Sequence, residues 1–185
     1  MGRKNFGAQP LLYPQLVAIV GTYGEDGTPD AMNAAWGGIA GNDKVFLCLS
    51  SHKTTENIER TREFTVSVAD AEHLVQADYL GIVSAHKVPD KVAKAGLHTT
   101  KSSFVNAPII EEFPITLECK LVENTPYGII GQIVNVSIDE RVLGEDGNVD
   151  GEKLSAISYD PMGHGYLKVG GRIGNAFADG KALIN

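Results

Sequence analysis

Residues 31–57, AMNAAWGGIAGNDKVFLCLSSHKTTEN, hold the chain's densest set of groups able to bind a phosphorylated ligand. Ser50, Ser51, His52, Lys53, Thr54 and Thr55 follow a short apolar run from Val45 to Leu49 and precede a segment of helical character, residues 56–62. A chain that leaves a strand for a helix exposes N–H groups with no intrahelical partner, and hydroxyls and a lysine beside them complete an anion site. Phosphate is the natural guest of such a site. Upstream, Asn33-Ala34-Ala35-Trp36-Gly37-Gly38 offers small side chains that let a flat ligand lie against the main chain, with amides free to bond its edge.

Each part also has a purely structural use. Ser51 or Thr54 can serve as an N-cap, Lys53 as a solvated surface lysine, and the Ala-Gly segment as a tightly packed strand or a bulge. Their concurrence in one stretch favours the ligand reading. Neither a Walker lysine loop nor a Rossmann glycine fingerprint is present. No serine, histidine and acid cluster has the context of a nucleophile motif, and His52, His73, His86, His98 and His164 lack metal-ligand spacing. No metal site and no catalytic residue is therefore assigned from the sequence.

The elements that must position these groups read mainly as strands. Residues 16–23 form a buried strand, and Glu25-Asp26-Gly27 turns it into a second over residues 31–40. The VFLCL run reads as a strand buried on both faces, and Cys48 and Cys119, inside apolar runs, as buried free thiols. Residues 64–68 alternate β-formers, whereas residues 71–80 and 86–96 have helical spacing. Residues 115–123 and 129–138 read as two half-buried strands that pair, followed by a turn at residues 145–148. Residues 158–166 read as a loop able to cover a ligand. Five or six strands with two or three short helices imply a mainly β (α+β) fold and a closed or nearly closed antiparallel barrel.

In the order of these pieces, the chain resembles the flavin reductase-like, FMN-binding split-barrel proteins, including flavoredoxins. The carrying residues are Asn33 in its small-residue strand, the apolar strand after it, Ser51-His52-Lys53-Thr54 with Asn57, Asp78-Tyr79-Leu80-Gly81-Ile82-Val83-Ser84 followed by Asp90-Lys91, and Tyr166-Leu167-Lys168-Val169-Gly170. The resemblance implies an antiparallel split β-barrel of the FMN-binding type. It implies that backbone groups of Asn33, Ala34, Ala35 and Trp36 border the isoalloxazine ring, and that Ser51, His52, Lys53, Thr54 and Asn57 face the ribityl phosphate, with Ser50 also among the cofactor-binding residues. Ser84 and Lys91 are carried over with them. Tyr159 and Tyr166 either stack on the flavin or are core or dimer-contact tyrosines. The implied activity is an oxidoreductase that takes electrons from NAD(P)H or a redox protein and passes them through FMN to a small acceptor. Two alternatives stand beside it: a non-catalytic FMN-binding electron carrier of the flavoredoxin type, and a split-barrel protein that binds haem or another ligand.

Composition sets the outer bounds. At 185 residues, 43% hydrophobic and 21% charged, residues 1–185 form one domain with a proper core. A net charge of -7 argues against nucleic acid and membrane surfaces as partners, because both need a basic patch. No apolar run reaches the length of a membrane span or a signal peptide, so the expected location is cytoplasmic. A lone split barrel leaves one face of a flat ring open, which points to a homodimer.

Overall fold

The computed structural model describes residues 2–184; residues 1 and 185 of the expected domain lie outside the described residues. The first half of the chain builds β1 (Gln15–Leu16), β2 (Ala18–Tyr23), β3 (Pro29–Ala34), β4 (Gly37–Ile39), β5 (Lys44–Leu47), α1 (Lys53–Thr61), β6 (Glu63–Val68), α2 (Leu74–Ile82) and α3 (Lys91–Lys94). The second half adds β7 (Thr99–Lys101), β8 (Pro108–Ile110), β9 (Ile115–Thr125), β10 (Gly128–Ile138), α4 (Gly151–Leu154), β11 (Ile157–Asp160) and β12 (Gly165–Lys168).

Seven strands form one antiparallel sheet in the order β3-β2-β6-β9-β10-β5-β4. Its two edges are β3 and β4, which only Ala35 and Trp36 separate along the chain. Three consecutive Cα–Cα steps span at most about 11 Å, so the edges meet at this point and the sheet curls into a half-barrel. The long β9–β10 hairpin shares the curvature through register shifts at Ile130/Gly131 and Ile133/Asn135, since an extra residue on one strand bends it.

The inside of the curled sheet is filled, and its outer face is covered at β2 and β3. Inside lie Val20, Val45, Leu47, Phe64, Val66, Cys119 and Ile129, with Ile58 of α1 packed among them. Outside, Val17, Ile19 and Ala31 pack against Ala77 and Leu80 of α2 and Val92 of α3. The strand at residues 16–23 is accordingly buried on both sides: Val17, Ala18, Ile19 and Val20 are each 0% exposed. Burial of Cys119, with the Glu118 charge beside it, pushes its thiol up to about 12.

Three expectations are corrected. The VFLCL run is not buried on both faces: Val45 and Leu47 are buried, Phe46 is half-buried, and the strand ends at Leu47. One side of β5 has no layer packed on it, so Cys48 is exposed rather than buried. Residues 158–166 are not a loop. They form a hairpin in which Tyr159 pairs with Tyr166, and β1 extends it to three strands by pairing with β11. Turn residues at 160–163 dominate the local pattern, but distant pairing with β1 sets the backbone.

Gly131 sits where the barrel is tightly packed: a Cβ there would lie 2.4 Å from Cζ of the fully buried Phe64. Gly131→Ala should therefore destabilise the fold by about 1–3 kcal/mol, the usual range for overpacking a filled core. Urea denaturation checks it, and an unchanged midpoint would mean that the Phe64 ring has room to move.

Candidate functional site

At the seam between β3 and β4 the wall is made of residues from four separate parts of the chain. Asn33 of β3 donates from Nδ2 to the Ala77 carbonyl (3.1 Å) and to the Tyr166 hydroxyl (3.4 Å), and Tyr166 donates to Asp78 Oδ1 (2.8 Å). This network ties β3 to α2 and to β12. Helix α2 approaches closely because residue 81 is glycine: a Cβ there would stand 3.2 Å from Asn33 Cβ. Both amide protons of Asn33 are engaged within the protein, so its carbonyl oxygen is the atom left for a ligand. Burial, reinforced by the bond to Asp78, pushes the Tyr166 hydroxyl up to about 12, which keeps it a neutral donor.

These residues line a cavity of about 430 Å³ together with Ala34, Ala35, Trp36, Ser50 and His52. A second cavity of about 200 Å³ adjoins it, sharing Met32, Asn33, His52, Gly81 and Ile82 and adding Lys53, Thr54, Ser84 and Lys91. The second is walled in part by α1, through Lys53 and Thr54, and the residue before that helix, His52, lines both. That helix begins at Lys53, three residues before the expected start, with extended His52 as its N-cap and no side chain capping it. The first intrahelical bond from this end runs from the Glu56 N–H to the His52 carbonyl (3.1 Å), so the N–H groups before it have no helical acceptor. They carry the positive end of the helix dipole to the second cavity. Thr55 Oγ1 donates to the Ser50 carbonyl (2.8 Å) and Ser50 Oγ meets His52 Nε2 (2.8 Å), which holds the preceding turn in place.

Beneath the second cavity lies a buried polar chain. Lys91, 3% exposed, donates to the carbonyls of Val83 (2.8 Å) and Leu80 (3.2 Å) and sits 3.5 Å from Asp30 Oδ1. Asp30 Oδ2 accepts from Thr54 Oγ1 (2.7 Å), whereas Oδ1 accepts no hydrogen bond; its contact with Lys91 is one of charge. Desolvation lowers the Lys91 ammonium from its ordinary range, and Asp30 pulls in the opposite direction.

The structure thus gathers Asn33, Ala34, Ala35, Trp36, Ser50, His52, Lys53, Thr54, Ser84, Lys91 and Tyr166 around the two adjoining cavities. Ser51 and Asn57 line neither. Ser51 is exposed, and Asn57 is buried with its Nδ2 donating to Thr22 Oγ1 (3.1 Å). Thr54 contributes its backbone, because its hydroxyl is turned inward to Asp30. Lys53 faces Glu56 at 3.5 Å. Asp78, Gly81 and Ile82 carried the family resemblance without being assigned to the site, and Cys48 and Asp30 were not assigned to it either. The helical spacing of Asp78 with Gly81 and Ile82 in α2 was the available signal for the first three; Asp30 gave none.

A family model described as "Flavin reductase like domain" matches residues 11–158. The chain is similar to the flavoredoxin of Desulfovibrio vulgaris (Miyazaki F), with 34% identity and a TM-score of 0.93 over 97% of this chain and 100% of that one. It is also similar to a flavoredoxin from Methanosarcina acetivorans, with 25% identity and a TM-score of 0.86 over 98% and 100%. An FMN-binding domain of a flavin reductase-like enzyme from Shewanella baltica OS155 shares the fold, at 18% identity and a TM-score of 0.75 over 86% and 88%.

The Tyr166 shift has a sign that can be measured. Its folded value, about 12, lies above the ordinary 10.0, so its contribution to stability is fully present below pH 10 and is lost as pH rises through 12. Tyr166→Phe should remove that part of the alkaline fall in stability. Equal slopes for the two proteins in denaturation across this window would show that the hydroxyl is not held as described.

Proposed function

The chain belongs to the flavin reductase-like family, and on that premise we propose that residues 1–185 act as one FMN-binding oxidoreductase domain. The observation that carries this reading is the uncapped N-terminus of α1, opening onto a small cavity that adjoins a larger one bordered by residues 33–36. The volumes fall together within the roughly 300–1,000 Å³ of ordinary ligand sites. A compact phosphate site beside a roomier, half-apolar chamber suits a mononucleotide better than a dinucleotide with its pyrophosphate.

In this reading the N–H groups at the start of α1 hold the phosphate, with Lys53 and Ser84 beside it and the charge of Lys91 below. Asn33, fixed by Ala77 and Tyr166, turns its carbonyl to the N–H edge of the ring, and Ala34, Ala35 and Trp36 supply the flat wall. Ser50 and His52 stand between the two ends, and Tyr166 stays neutral and donates to Asp78. Bound here, FMN supplies the electron and hydride chemistry that the side chains lack, so the protein's task is binding and orientation. NAD(P)H or a redox protein is the electron source and a small molecule the acceptor, in the cytoplasm. The full-length likeness to a flavoredoxin favours a second reading, an electron carrier reduced only by a protein donor.

The reading also includes a homodimer. Val75 and Ile82, one face of α2, are 77% and 75% exposed beside the larger cavity, an apolar surface that a second copy would cover. Light scattering at micromolar concentration should give twice the 19.7 kDa of the chain; a monomer overturns this part alone.

Titration with FMN and riboflavin tests the site. The phosphate should contribute about 1.5–3 kcal/mol, so FMN should bind roughly ten- to a hundredfold more tightly than riboflavin. Equal affinities would remove α1 from the site, and no binding of either would end the flavin reading. NADH bleaching the bound flavin favours the enzyme; bleaching by a protein donor alone favours the carrier.

A further inference from the structure

Gln15 is 5% exposed, yet its side-chain amide forms no hydrogen bond with any described residue. The amide is not sealed from solvent, since among the described buried side chains only Asp30 Oδ1 is fully enclosed without a partner; what little surface Gln15 keeps is that of a polar group with no protein partner. What Gln15 does face is a groove of about 520 Å³. The N-terminal segment forms one wall with Pro10, Leu11 and Leu12; Trp36 and Phe46 form the other. No lysine, arginine, histidine or carboxylate side chain lines it. Trp36 and Cys48 also line the larger cavity at the seam, so the groove lies against the other side of the same wall.

We propose that this groove is a second ligand site, for an uncharged planar aromatic molecule that carries a carboxamide or carbonyl edge. The edge pairs with the Gln15 amide, which offers both a donor and an acceptor, and the ring packs between the Trp36 indole and the leucines opposite. Burying a charged group here would be unfavourable because no counter-charge faces it, and the net charge of -7 further disfavours anions. A nucleotide is poorly suited for the same reason. A polar group with no protein partner at the wall of an apolar slot is what a small-molecule site presents before its ligand arrives. The ligand would lie against the wall of the proposed flavin cavity, and that functional connection rests on the reading above. Binding itself does not.

Trp36 is the only tryptophan of the chain, so its fluorescence reports on the groove. The full chain is titrated with benzamide, and with benzoate as the charged counterpart, with and without FMN. Benzamide should quench saturably in both states, with at least tenfold higher affinity than benzoate. Gln15→Leu should weaken benzamide at least tenfold and leave FMN affinity unchanged. Gln15→Met, close in length and uncharged, should do the same and serves where the leucine variant fails to fold. Non-saturable quenching, unchanged affinity in both variants, or displacement of benzamide by FMN would overturn the proposal. So would a groove closed by a second copy of the chain, which would admit no benzamide at any concentration. If FMN fails to bind while benzamide still depends on Gln15, the flavin reading falls and the groove stands.

Discussion

Two residues, Ala35 and Trp36, join the two edge strands of a seven-stranded sheet. Neighbouring strands lie about 4.8 Å apart, so a flat sheet of this size would separate its edges by about 29 Å, far beyond the reach of the link. Curling is the only way to satisfy both the ladder and the chain. The Cys48 N–H donating to the Trp36 carbonyl (2.8 Å) continues the β4–β5 pairing to the end of the link and fixes it there. Everything at the seam follows: an interior filled by Phe64, Leu47 and Ile129, and a short exposed run of backbone with cavities on both sides.

The helices are held against this half-barrel by apolar contact and by a few buried polar groups. Lys91 alone joins α3 to the end of α2 through two carbonyls, and to β3 through Asp30, which in turn holds α1 through Thr54. Such a chain contributes little net stability once desolvation is counted, but removing one member would leave the others charged or unpaired in a dry interior. Its effect is to fix register. The start of α1, the end of α2 and the strand bearing Asn33 cannot shift independently, and these are the elements that wall both cavities of the proposed flavin site.

The chemistry of that site falls mostly to atoms that no side-chain motif displays. Helix N–H groups and one oriented amide are well suited to hold a cofactor that brings its own reactivity. The lack of an acid-base pair in the sequence is consistent with this division. Trp36 has a double position, forming part of the proposed flavin cavity on one side and of an apolar groove on the other.

Local patterning determined a good deal by itself. Alternating apolar residues in β9 and β10, the Asp26-Gly27 turn between β2 and β3, and the helical spacing of residues 71–80, where the helix itself runs Leu74–Ile82, are written in neighbouring residues, because each element must bury one face. Eight of the residues around the two cavities, Asn33 to Trp36, Ser50 and His52 to Thr54, lie in the one stretch where small residues, hydroxyls and a helix start concur, whereas Ser84, Lys91 and Tyr166 came only from the family resemblance. Tertiary structure decided the rest. Whether β5 has one buried face or two depends on what packs across it, and Cys48 is exposed because nothing does. The hairpin at residues 157–168 gains a third strand only because β1, over a hundred residues away in sequence, pairs with β11. The hydroxyl of Thr54 turns inward because Asp30 and Lys91 converge beneath it, and Gln15 is left unpaired because a groove opens before it. Contacts between residues far apart in the chain leave no periodic trace, so these outcomes could be read only after the sheet had curled.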